Sequence, residues 1–145
     1  MRTLIVALGV MGLWAGERED VAGVVQKTFD AMAAHDAAGI QACFVAGARL
    51  TAIRETGEVT HQTVEQFAER MGQMKAAVRE RMWDVEVKVK GKLASLWAPY
   101  DFERDGKRTH CGMDQANLVK TEGGWKIVSL TFTMETKGCG AGRVK

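Results

Sequence analysis

Trp97-Ala-Pro-Tyr100-Asp-Phe102-Glu-Arg-Asp105-Gly106-Lys107-Arg-Thr-His110-Cys111-Gly112-Met-Asp114 decides the fold, together with Leu118-Val119-Lys120 and Gly124-Trp125-Lys126-Ile127 behind it. It reads as three consecutive strands joined by tight turns. Asp105-Gly106 is a strong hairpin signal, because both residues tolerate positive φ, and Glu122-Gly123-Gly124 supplies the next reversal. Upstream, Trp83, Val85, Val87 and Val89 alternate with Asp84, Glu86 and Lys88, the period of a half-buried strand that starts near Arg79. Lys90-Gly91-Lys92 turns that strand into Leu93–Arg104, whose start is apolar enough to predict burial on both faces. Pro99 lacks a backbone donor, so a bulge or an unpaired position is expected there. Val119 and the alternation Val128, Leu130, Phe132, Met134 complete a long antiparallel meander.

Further upstream the period lengthens. Val21, Val24, Val25, Phe29, Met32 and Ala33 recur at intervals of three and four, which predicts a helix over about 21–35. Asp36 is placed to cap a short second helix that buries Ile40 and Phe44. Arg49–Ile53 and Val59–Gln62 flank Glu55-Thr56-Gly57 as a small hairpin. Thr63 opens a third helix in a capping box with Gln66, and Val64, Phe67, Ala68, Met71 and Met74 form its apolar stripe. The order predicts an α+β fold, a cone-shaped curved antiparallel sheet with about three N-terminal helices packed on its concave side.

The chain has 145 residues, enough for one domain with a real core and too few for two comfortable ones. Its 20 basic and 18 acidic side chains leave a net charge of +2, spread along the sequence. No basic field is available for a phosphate backbone, so nucleic acid is excluded as the expected partner. Lys88, Lys90, Lys92, Arg104, Lys107 and Arg108 gather at hairpin ends, where such side chains ordinarily face solvent. Met1-Arg2-Thr3 followed by the apolar run Leu4–Gly16 and by Glu17-Arg-Glu-Asp20 has the order of a secretory signal peptide. We therefore expect a signal peptide at 1–16, a domain at 17–137 and a flexible tail at 138–145. Export is expected to the periplasm or the extracellular space, with no stable membrane span after cleavage. Cys43, Cys111 and Cys139 permit one bridge, for which Cys111 with Cys139 is the pair to test; three unpaired thiols read equally well.

The whole order, over Val21–Met134, resembles nuclear-transport-factor-2-like domains, most closely their SnoaL-like and putative lumazine-binding branch. Trp125 in Gly123-Gly124-Trp125-Lys126-Ile127 is similar to the aromatic start of the closing strand in that family. The resemblance implies a small apolar or aromatic molecule held in the interior or mouth of the cone, and a homodimer formed through the sheet. Ligand contacts are then expected from Trp83, Trp97, Tyr100, Phe102, His110 and Asp114. Enzymes of the superfamily use Asp, His and Tyr constellations. If there is catalysis, Asp114 or His110 is the expected base and Tyr100 the group polarising a carbonyl, in a lyase or isomerase that needs no cofactor and no metal. His110 and Asp114 are about 13 Å apart along a straight strand, suited to opposite ends of a ligand and not to a dyad. His110, Gly112, Asp114, Ala116 and Leu118 share one strand face, and Cys111, Met113, Gln115, Asn117 and Val119 share the other; both faces carry core-like residues, so the phase stays open. His110 and Asp114 also read simply as satisfied strand residues, and Trp83, Trp97, Tyr100 and Phe102 as side chains filling the pocket of a dimeric protein-interaction domain whose sheet face forms the interface.

Overall fold

The computed structural model describes residues 11–140. Helix α1 (Met11–Ala33) extends the expected first helix toward the N-terminus and runs through the last six residues of the expected signal peptide; residues 1–10 lie outside the described residues. Val21, Val25, Phe29 and Met32 form its buried stripe, and together their burial contributes on the order of 8 kcal/mol. His35 ends the helix by taking a left-handed conformation (φ 53°), and its N–H donates to Met32 O. Asp36 then caps α2 (Ala37–Ala42) by accepting from Gly39 N at 2.9 Å. Strands β1 (Phe44–Arg54) and β2 (Val59–Thr63) are the expected hairpin, and Thr63 with Gln66 forms the expected capping box of α3 (Val64–Gln73).

The remaining strands are β3 (Val78–Met82), β4 (Glu86–Lys90), β5 (Leu93–Arg104), β6 (Lys107–Thr121) and β7 (Gly124–Met134). They form one curved, unclosed sheet in the order β2-β1-β7-β6-β5-β3, with β4 also on β5. The helices cover its inward face, giving the α+β architecture expected. The pairing is not antiparallel throughout, because β1 lies parallel to β7.

One expectation for the sheet is corrected and another is resolved. The strand expected from Arg79 onward is two strands, since Asp84 takes a positive φ of 45° and breaks the ladder although the alternation continues across it. Pro99 takes the second of its two expected forms, an unpaired position and not a bulge: it stays in register with Met113 of β6, while its carbonyl accepts from Trp83 N at the break. Because a strand residue points its N and O the same way, the missing N–H of Pro99 faces the gap between β3 and β4, where no partner needs it. The bulges lie elsewhere, with Thr109 extra between Phe102 and Glu103, and Val128 extra between Asn117 and Leu118.

Nor is the start of β5 buried on both faces. Ala94, Leu96, Ala98, Tyr100 and Phe102 point inward, whereas Leu93 and Trp97 are exposed. On β6 the same register resolves the open phase: Asp114, Ala116 and Leu118 are inward and buried, with Gly112 and His110 on that face. Gly112 is required there, because a Cβ would lie 2.2 Å from Thr133 O. On the outer face Asp101 is fully buried under Arg81, whose guanidinium holds it at 2.6 and 2.9 Å and also meets Glu103 at 3.1 Å.

Cys111 and Cys139 are joined in a disulfide, and Cys43 is a free, buried thiol. Of the tail expected at 138–145, residues 141–145 lie outside the described residues. Besides the bridge, Arg108 donates to the carbonyls of Cys139 and Gly140, and Glu55 accepts from the N–H groups of Thr136 and Lys137.

Candidate functional site

Helices α1 and α3 do not fill the whole inward face of the sheet. Between them and strands β1, β2, β5, β6 and β7 lies a cavity of about 180 Å³. Its body is apolar: Phe29 and Met32 from α1, Phe67 and Met71 from α3, Leu50 and Ala52 from β1, Tyr100 and Phe102 from β5, Leu130 and Phe132 from β7. At the open end, where the lining residues become exposed, stand Arg54, Thr60, Arg70 and Arg104. Glu80 of β3 is the one carboxylate in the wall.

Glu80 is inward because Val78, Glu80 and Met82 occupy one face of β3, opposite Arg104, Phe102 and Tyr100. Its neighbour is Asp114, fully buried between Ala98 of β5 and Phe132 of β7. No N–H or hydroxyl donor reaches Asp114 Oδ2. The group that interacts with it is the Glu80 carboxyl, and two carboxyls form a hydrogen bond only when one keeps its proton. Burial pushes Asp114 up to about 7, and the bond from Glu80 pulls the other way. Glu80 is held well above the ordinary carboxylate range by burial first and then by the charges of Asp114 and Asp101. The two carboxyls therefore titrate as a coupled pair that gives up its first proton near neutrality, and the proton that stays is shared between them.

Tyr100 is buried and its hydroxyl donates to Thr133 O at 2.6 Å. Thr133 turns that carbonyl inward instead of pairing it along the ladder, and its Oγ1 accepts from Met113 N at 2.9 Å in compensation. Burial, followed by the nearby carboxyls of Glu80, Asp114 and Glu135, drives the phenol's pKa far up. Its single proton is thus committed to a main-chain carbonyl, and what it offers a ligand is a lone pair. His110 stacks on Phe102 at 4.9 Å between ring centroids and meets Tyr100 edge-on at 5.8 Å. Burial, then Arg104 and Arg54, lower its pKa, so the ring is a neutral imidazole whose Nδ1 lies 3.0 Å from Thr109 Oγ1.

Of the residues expected to touch a ligand, Tyr100, Phe102 and His110 line the cavity. Asp114 lies behind Glu80 and does not. Trp97 is on the outer face, 49% exposed, and Trp83 stands at the break between β3 and β4; neither lines the cavity. The sequence reading missed Glu80 and the arginines. A charged residue at the inward position of a strand, between Val78 and Met82, was the available signal for Glu80.

Residues 16–133 match the family described as "Putative lumazine-binding". The chain belongs to that family. Its fold is that of solved structures described as nuclear transport factor 2-like. A protein of unknown function from Mycobacterium tuberculosis is 17% identical with a TM-score of 0.74, over 89% of this chain and 78% of that one. A nuclear transport factor 2-like protein of unknown function from Shewanella baltica OS155 is 17% identical with a TM-score of 0.65, over 84% and 96%. A protein described as a putative dehydratase from the nuclear transport factor 2-like family, from Streptomyces avermitilis, is 15% identical with a TM-score of 0.68, over 83% of this chain and 96% of that one. No curated protein matches the sequence significantly.

Proposed function

We propose that this member of the putative lumazine-binding family binds a small, mainly apolar or aromatic molecule between its helices and its sheet. The observation that carries this reading is the apolar cavity of about 180 Å³, open at one end and supplied with few polar groups, the usual form of a small-molecule site. Native mass spectrometry of protein purified gently from its own host tests it. A reproducible adduct that disappears in the A52F variant, whose new ring fills the cavity, supports the reading. A bare protein that also binds no small aromatic compound in calorimetry refutes it.

The carboxyl pair of Glu80 and the buried Asp114 favours a second reading, a lyase or isomerase that needs no cofactor. A carboxyl that keeps its proton at neutral pH, beside a second one titrating near neutrality, can deliver or accept a proton at a bound carbon or oxygen. Under this reading E80Q and D114N each abolish turnover, whereas under simple binding they change affinity alone. Export is supported by the basic-apolar-small order of the N-terminus and by the Cys111–Cys139 bridge, which persists in oxidising compartments. A homodimer through the outer sheet face is supported by the exposed Leu93, Trp97 and Val128.

A further inference from the structure

The open end of the cavity carries more positive charge than its neighbours neutralise. Of the three arginines there, Arg54 is bridged to Glu58 at 3.4 Å. Arg70 lies over the Phe67 ring at 5.5 Å, and Arg104 Nη2 meets only Met74 Sδ at 3.9 Å. Among the described residues neither Arg70 nor Arg104 forms an ion pair with a carboxylate. They come from different elements, the last turn of α3 and the end of β5, and converge on one opening.

We propose that Arg70 and Arg104 hold the anionic head of an organic acid whose apolar ring or chain enters the cavity, so that the ligand of this protein is an aromatic or aliphatic carboxylate. The inference rests on the binding reading above and adds the ligand's charge and orientation. Guanidinium forks match a carboxylate in geometry, and two of them facing an apolar chamber fix the head at the rim. The reverse orientation is disfavoured, because the chamber's wall includes Glu80, which with Asp114 behind it would meet a carboxylate with like charge. Burial lowers the Arg70 pKa and the charge of Arg104 lowers it further, a cost that an anion would relieve.

Isothermal titration calorimetry with 2-naphthoate and with its neutral counterpart 2-naphthamide tests this, on the wild type and on R70Q, R104Q and the double variant. Both arginines are exposed, so glutamine leaves the core untouched, and naphthamide affinity reports that the cavity is intact. The expected result is a preference for naphthoate of about tenfold or more in the wild type, falling toward parity in the double variant with naphthamide affinity unchanged. Equal or weaker binding of naphthoate by the wild type overturns the anion site and leaves the binding reading standing. A preference that survives in the double variant also overturns the assignment to these arginines. Failure of both compounds to bind overturns the inference together with the reading beneath it.

Discussion

Replacing Asp114 by Asn should flatten the dependence of stability on pH. Below about pH 4 both the native and the unfolded chain hold the proton of this carboxyl, and it contributes no slope. Between about 4 and 7 the unfolded chain releases a proton that the buried native carboxyl keeps, so the native state loses stability as pH rises. Above about 7 both forms have released it. The native group retains its proton over about three pH units in which an ordinary aspartate has lost it. At about 1.4 kcal/mol per unit, the wild type should lose up to about 4 kcal/mol on this account across the interval. Glu80 adds to the effect in the same direction, since Asp114 helps to hold it protonated. Urea unfolding followed by tryptophan fluorescence, at several values from about pH 5 to about pH 8, gives the free energy of each protein. The difference between D114N and wild type should grow in favour of the variant by several kcal/mol toward the alkaline end. Parallel curves would show that Asp114 ionises normally, and the shared-proton description of the pair would fall with it.

Loss of the Cys111–Cys139 bridge, which closes a loop of 28 residues, should cost about 3.5 kcal/mol in C111S/C139S, read as a lowered urea midpoint; reduction should lower the wild type equally and the variant not at all. Gly112→Ala should destabilise by about 2 kcal/mol or more, because its Cβ meets Thr133 O at 2.2 Å, whereas Tyr100→Phe, which removes only the hydroxyl bond to the same oxygen, should cost about 1 kcal/mol. Thermal unfolding separates the two, and a harmless Gly112→Ala would contradict the close approach. Arg81→Ala leaves the fully buried Asp101 without its cation and should cost about 3 kcal/mol, while R81M/D101N should recover part of the loss; equal stability of single and double variants would show that the pair is not coupled.

Local rules carried much of the architecture. Asp36, Thr63 with Gln66, and Asp105-Gly106 each specify a cap or a turn through their own backbone chemistry, so they are legible without knowing what packs on them. The break between β3 and β4 is not legible in that way, because Trp83, Asp84 and Val85 continue the alternation and only the positive φ at Asp84 reveals the interruption. The site divides along the same line. Tyr100, Phe102 and His110 stand out as aromatic and polar residues on strands flanking a turn, and they do line the cavity. Glu80 sits between Arg79 and Arg81 and reads as one charge in a solvated run until the register of β3 against β5 turns it inward. Arg70 and Arg104 read as surface charges for the same reason: convergence from a helix end and a strand end is a property of tertiary packing.

The interrupted strand beside Pro99 bears on how copies of this chain can associate. A long exposed sheet edge invites another chain to extend it, and folded proteins avoid this with short, charged or broken outer strands. Here one margin consists of two five-residue pieces parted by Asp84, the second carrying Glu86, Lys88 and Lys90, and the opposite margin is the five-residue β2, which runs straight into α3. Neither rim offers a continuous ribbon of free amides and carbonyls to template fibrous growth. The homodimer proposed above would accordingly rest on side chains of the broad outer surface and not on main-chain hydrogen bonding along a rim.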